Sequence, residues 1–227
     1  MVVMVSLLHQ AMTRWLRPKG TPPFDSLAGT PLDRVADNYL AIITGSILFP
    51  GTGSALVLRP GLAVTSAHVV EGCAHLTALS RHGLVELRVL GRSRRLDLAV
   101  LAVPEGLGRV LPIARATQGQ AVWAMGTTTG WLPPTANGRV ETDRATAWLD
   151  RVDGPGYAGL MYAAEAGPGY SGGPVVDASG ALVGLTEGIY TELFDEPSAA
   201  WPQLPRLFAY HAADVLAESL VLRMQTI

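Results

Sequence analysis

Three side chains in this sequence have the types needed for acyl transfer, and each stands in an unusual setting. Ser171 lies in "GPGYSGGPVV" (167–176), where four glycines and two prolines surround one serine. A lone hydroxyl is a weak nucleophile; it needs a base to take its proton and N–H donors aimed at the oxyanion formed on a carbonyl. Glycines permit the sharp turn that gathers backbone N–H groups around such a hydroxyl, where bulkier residues block both turn and substrate. Taken alone, the segment reads equally well as a strand-connecting turn whose serine satisfies backbone groups.

The base is sought among His9, His68, His75, His82 and His211. His68 stands in "GLAVTSAHVVEG", just past an apolar strand, where it is rigidly placed yet reaches solvent. The other four have ordinary helical, strand-flanking or surface settings. His68, His75 and His82 lack the spacing and the neighbouring cysteine or carboxylate pattern of a metal site, so neither metal nor cofactor is expected. An imidazole base needs an acceptor on its second nitrogen to fix its tautomer. "RRLDLAVLAV" offers Asp97 within a β-prone apolar run, where a carboxylate is costly to bury unless paired. The plainer alternative puts Asp97 on the solvent face of an edge strand beside Arg94 or Arg95.

The elements that must carry these groups are short. From Asn38 onward, runs such as "SALVLRPG", "AHLTALS", "DLAVLAVP", "QAVWAMGTT" and "GLMYAAE" alternate with glycine turns, which argues an all-β barrel or sandwich. Two sets of about six strands are separated near 108–118, and "DASG" reads as a hairpin turn. Met4, Leu8, Met12 and Trp15 predict an N-terminal helix, followed by a surface linker over 18–34. Val215, Leu216, Leu220 and Met224 predict a closing helix.

Composition narrows the classes. Of 227 residues, 48% are hydrophobic and 16% charged, which fits a well-buried globular chain. A net charge of −2 gives no electrostatic case for nucleic acid or an anionic membrane. No apolar run reaches the length of a membrane span. The single cysteine, Cys73, rules out an intrachain disulfide. Together these suggest a cytoplasmic protein, with a periplasmic or secreted one as the alternative.

In the order His, Asp, Ser, the blocks "TSAHVV", "DLAVL" and "GYSGGPVVDASGALVGL" resemble the signatures of trypsin-like (chymotrypsin-fold) serine proteases. The resemblance is strongest to the bacterial, disulfide-free branch that includes the HtrA proteases, and it runs from about Gly51 into "FAYHAADVL". It implies two six-stranded antiparallel β-barrels with a catalytic cleft between them, an N-terminal helical extension and a C-terminal helix. The expected divisions are 1–36, 37–112, 113–210 and 211–227. The resemblance assigns His68 as general base, Asp97 as orienting carboxylate and Ser171 as nucleophile, with the Gly169 and Ser171 N–H groups as oxyanion hole. The reading is an endopeptidase acting on protein or peptide substrates, with a regulatory protein partner left open. A peptide-binding module of the same fold, or an esterase with the same triad, is the alternative. HtrA proteases usually carry a following PDZ domain, and a form without one is expected here.

Three residues depart from the family pattern and become specificity candidates. Tyr170 replaces the aspartate of animal trypsins or the asparagine of HtrA proteases, and no trypsin-style activation cleavage is expected. Residues 1–36 are therefore expected to be dispensable for activity. Glu165, six residues before Ser171, falls where trypsins place the aspartate that binds Lys or Arg; the competing reading leaves it solvated. Glu187 in "LVGLTEGIY" occupies the strand expected to pair with substrate, where a small polar residue is usual.

Overall fold

The apolar runs punctuated by glycine become strands that close on themselves. The computed structural model describes residues 24–46, 49–93, 95–127, 135–147, 157–189 and 204–225, so the expected N-terminal helix lies outside the described residues. β1 (Tyr39–Ser46), β2 (Phe49–Arg59), β3 (Leu62–Thr65), β4 (His75–Ser80), β5 (Gly83–Arg92) and β6 (Ala99–Ala102) close a barrel in the order β1-β2-β3-β6-β5-β4. A second barrel follows from β7 (Ala121–Met125), β8 (Thr135–Ala147), β9 (Tyr157–Ala164), β10 (Pro174–Val176), β11 (Leu182–Ile189) and β12 (Arg206–His211). Its order is β7-β8-β9-β12-β11-β10, which repeats the winding of the first with no sequence repeat to announce it. Closure of each sheet leaves no open edge along its length. This is the fold that the resemblance implied.

Among the described residues three hydrophobic cores result. Leu40, Ala55, Ala63, Ala78 and Leu101 fill the first barrel, and Val122, Leu160, Tyr162 and Val183 fill the second. A third core lies between them and joins Tyr39, Val64 and Leu98 to Met125, Phe208 and Tyr210. β3 shows why such strands defy a simple alternation: all four of its residues are buried. Ala63 faces the first barrel's interior, while Leu62 and Val64 face the inter-barrel core. Both faces of the strand are therefore dry.

The described part of the segment expected to run over the surface, from Phe24 onward, does not. Phe24, Leu27, Leu32, Val35 and Ala36 are at most 2% exposed and belong to the inter-barrel core. Its proline and glycine turns bend the chain through two 3-10 turns, Asp25–Leu27 and Pro31–Arg34, which let these apolar residues insert.

The closing helix, α1 (Ala212–Met224), is present. Its buried stripe is Ala212, Val215, Ser219 and Leu222, whereas Leu220 and Met224 are exposed. Ser219 fits the stripe because its hydroxyl donates to the Leu216 carbonyl at 2.8 Å. α1 packs on β11 and β12 and reaches across to β5 and β6. There Glu218 accepts a hydrogen bond from Ser93 and pairs with Arg95 at 3.4 Å. Ser93 Oγ in turn accepts the N–H groups of Arg95 and Leu96, and its own N–H donates to Leu98. The helix is thus a strap from the second barrel onto the loop that carries Asp97.

Candidate active site

His68 follows directly from the end of β3. The chain leaves the barrel at Thr65 and enters a 3-10 turn, Ala67–Val70, with Ser66 as its N-cap residue and Val69 and Val70 buried beneath. The first N–H groups of such a turn lack partners within it. Asp97 supplies them from the facing loop: its carbonyl accepts the Ala67 N–H at 3.0 Å, and Oδ1 accepts the His68 N–H at 2.9 Å. The other carboxylate oxygen, Oδ2, meets His68 Nδ1. Asp97 is anchored from behind, since its own N–H donates to the Tyr210 hydroxyl at 3.1 Å.

The carboxylate is 4% exposed and the imidazole 21% exposed. Burial works against the charged form of Asp97, but its bonds with His68 and the attraction of the imidazole outweigh that penalty. The carboxyl is held below its usual range. Asp97 thus lies in the interior against His68 rather than on an outer strand face.

The Ser171 segment comes from the other barrel, between β9 and β10. Gly169 has φ +96 and Gly172 has φ +80, a region where only glycine is comfortable. There is no room for a side chain either: a Cβ on Gly169 would lie 1.5 Å from the Thr127 carbonyl oxygen. On Gly172 it would lie 2.1 Å from the Ser54 carbonyl oxygen and 2.4 Å from Thr65 Oγ1. Around this tight path the N–H groups of Gly169 and Ser171 enter no hydrogen bond among the described residues. No hydrogen bond joins His68 to Ser171 either.

Residues that the sequence reading passed over hold this segment against the first barrel. Ser54 N–H donates to the Ser171 carbonyl at 2.9 Å, and Ser54 Oγ donates to the Gly169 carbonyl at 2.8 Å. Ser54 Oγ lies 2.9 Å from the Tyr39 hydroxyl, which also contacts Thr127 Oγ1 in the second barrel. Burial pushes the Tyr39 phenol well above its usual range, so it remains a neutral donor. The signal was a polar residue, Ser54, in an apolar β pattern; a buried hydroxyl needs partners, and these partners are the site.

The specificity candidates scatter. Glu165 is exposed just beyond β9. Tyr170 is 3% exposed, packs in the second barrel's core, and has its phenol pushed up to about 12 by burial. Glu187 points at the His68–Asp97 pair. Donor atoms of His68, Asp97 and Glu187 all lie within 4.8 Å of one another, and the Glu187 side chain is a further, smaller cause of the lowered Asp97 carboxyl. A metal ion could be held by such a set; the bonds between His68 and Asp97 already account for the convergence of those two.

Comparison with known proteins bears on the family and the fold. Residues 51–185 match the family described as trypsin-like peptidase domain. A curated relative, the chloroplastic Protease Do-like 1 of Arabidopsis thaliana, is 30% identical over 148 residues, covering 62% of this chain and 34% of its own length. The chain thus spans about a third of the length of the curated relatives it matches. Among solved structures, the HtrA-type protease AlgW with a decapeptide superposes with a TM-score of 0.71 at 19% identity, covering 87% of this chain and 67% of that one. The active form of the Rv3671c protease from M. tuberculosis gives 0.69 at 22% identity, covering 90% and 88%. These structural likenesses show the shared fold, and the family match spans more than half of the sequence. The chain belongs to the trypsin-like peptidase domain family.

Proposed function

We propose that the chain is a serine endopeptidase in which Ser171 forms an acyl-enzyme with the carbonyl of a peptide bond. His68 takes the Ser171 proton on Nε2, while Asp97 holds the proton on Nδ1 and stabilises the imidazolium that forms. The negative oxygen of the tetrahedral intermediate is received by the N–H groups of Gly169 and Ser171. His68 then protonates the departing amine and activates water for deacylation. Rotation of the Ser171 side chain about its Cα–Cβ bond brings the hydroxyl to the imidazole as substrate arrives, a tightening common in such sites.

The observation that carries this reading is the buried contact of Asp97 with His68 Nδ1, a pairing that leaves Nε2 as the base. Support for a peptide rather than a simple ester comes from β11. Beyond Thr186 this strand is paired, among the described residues, on the β12 side only, so Glu187 to Ile189 offer backbone groups to an extended chain. The decapeptide in the AlgW structure accords with such a substrate.

Labelling with a fluorophosphonate probe tests the chemistry: the wild type is modified at Ser171, and Ser171→Ala and His68→Ala are not. A folded wild type that resists labelling would leave only the peptide-binding module. Labelling with ester turnover but no cleavage of casein or peptides would leave the esterase.

A further inference from the structure

Asp97 does not lie on a strand. It sits in the connection from Ser93 to Leu98, between β5 and β6 and outside the ladders of both. Other bonds must fix its direction, and they converge on Ser93. Ser93 N–H donates to the Leu98 carbonyl at 2.8 Å and closes the connection at its base. Ser93 Oγ accepts the N–H groups of Arg95 and Leu96, each at 3.0 Å. A hydroxyl has two lone pairs and one proton. Both lone pairs are taken inside the turn, so the proton must leave it, and it goes to Glu218 of α1.

Glu218 is placed for this contact. It follows Val215 by three residues and precedes Leu222 by four, on the flank of the buried stripe, and its side chain is 12% exposed. A carboxylate so covered is costly unless bonded. Ser93 takes one oxygen and Arg95, 75% exposed, takes the other at 3.4 Å. An ion pair with so exposed a partner is screened by solvent, whereas the bond from Ser93 is charge-assisted and shielded. A second hold also comes from the second barrel, because the Asp97 N–H donates to the Tyr210 hydroxyl at 3.1 Å. Asp97 thus meets the imidazole of its own barrel on bonds supplied by the other.

We infer that Glu218 is a positioning residue for catalysis: by taking the Ser93 proton it fixes the turn that presents Asp97 to His68. This rests on the protease reading of the same site. Without that acceptor the Ser93 hydroxyl reorients, and its bonds to the Arg95 and Leu96 N–H groups lose their direction. The turn loosens one residue before Asp97, and the carboxylate no longer meets the imidazole in a single geometry. Among the described residues neither Ser93 nor Glu218 is hydrogen-bonded to the β11 edge offered to substrate, so the loss falls on the chemical step.

The test is made on the full chain at one fixed pH. For Glu218→Ala, kcat on a peptide anilide should fall about 10- to 100-fold with KM unchanged. Ser93→Ala removes the same bond from the loop side and should fall at least as far. Glu218→Gln keeps an acceptor oxygen for Ser93 and should recover most of the rate. The low-field NMR signal of the His68 Nδ1 proton, which needs no turnover, should broaden or move upfield in both alanine variants and return in Glu218→Gln. A fall in kcat of less than about tenfold in the folded alanine variants overturns the inference, as does a glutamine variant no better than alanine. Circular dichroism establishes folding; where Glu218→Ala does not fold, Ser93→Ala decides alone. Failure of the protease reading would look different: the wild type would take no fluorophosphonate, while the NMR signal still answered to the substitutions.

Discussion

Asp97→Asn is an almost isosteric change whose effect follows from what Asp97 faces. Its two hydrogen-bond partners on His68 are donors: the main-chain N–H at 2.9 Å on Oδ1, and Nδ1 on Oδ2. An amide has one acceptor and one donor end. The main-chain N–H cannot change, so the amide oxygen stays on it and the NH2 turns to the ring. The ring then accepts at Nδ1 by moving its proton to Nε2, where it blocks transfer from Ser171. Keeping the working tautomer instead sets donor against donor, costing about 1–3 kcal/mol, and the imidazolium loses a charge-assisted bond of about 1.5–3 kcal/mol. Together these amount to roughly 3–6 kcal/mol, or two to four decades in kcat.

The assay is kcat on a peptide anilide for wild type, Asp97→Asn and Asp97→Ala. Asparagine should be no better than alanine, because alanine leaves the tautomer free. An asparagine variant within tenfold of wild type would refute the reasoning. The same contact predicts a pH effect on stability. A carboxyl held below its ordinary value of 3.8 adds stability that is fully present above that pH and is lost as pH falls through the folded-state value. On acidification below 3.8, the wild type should lose more thermal stability than Asp97→Asn.

Two further substitutions probe the scaffold. Gly172→Ala combines a positive φ with a Cβ 2.1 Å from a carbonyl oxygen; it should lower stability by about 2–4 kcal/mol in a denaturant titration and abolish probe labelling. Phe24→Ala removes a ring that is 2% exposed and packs edge-on against Tyr39 at 6.3 Å; a loss of about 3–4 kcal/mol is expected, measured the same way. A neutral Phe24→Ala would mean that the segment before β1 is dispensable, as its sequence first suggests.

What could be read in advance was whatever is encoded locally. Ser171 announces itself through glycines that no regular element tolerates, and His68 through an apolar strand that ends at a polar turn. The two-barrel closure came through resemblance, because texture alone leaves barrel and sandwich open. The rest depends on contacts between distant segments. Residues 24–36 look like a linker because turn formers dominate them, yet five apolar side chains find the crevice between barrels. The stripe on α1 is centred differently from the apolar pattern because Ser219 satisfies its own hydroxyl and can be buried. Glu187 was placed on the right strand with its direction left open, since a single bulged residue reverses the phase of everything after it.

The strap formed by α1 has a mechanical meaning. Its Glu218 grips Ser93, and the turn built on Ser93 ends one residue before the carboxylate that steadies the imidazole. Tension or torsion applied to the last helix would therefore run, through two side chains and one tight turn, to the contact between Asp97 and His68. The tail is placed as a lever arm on that pair.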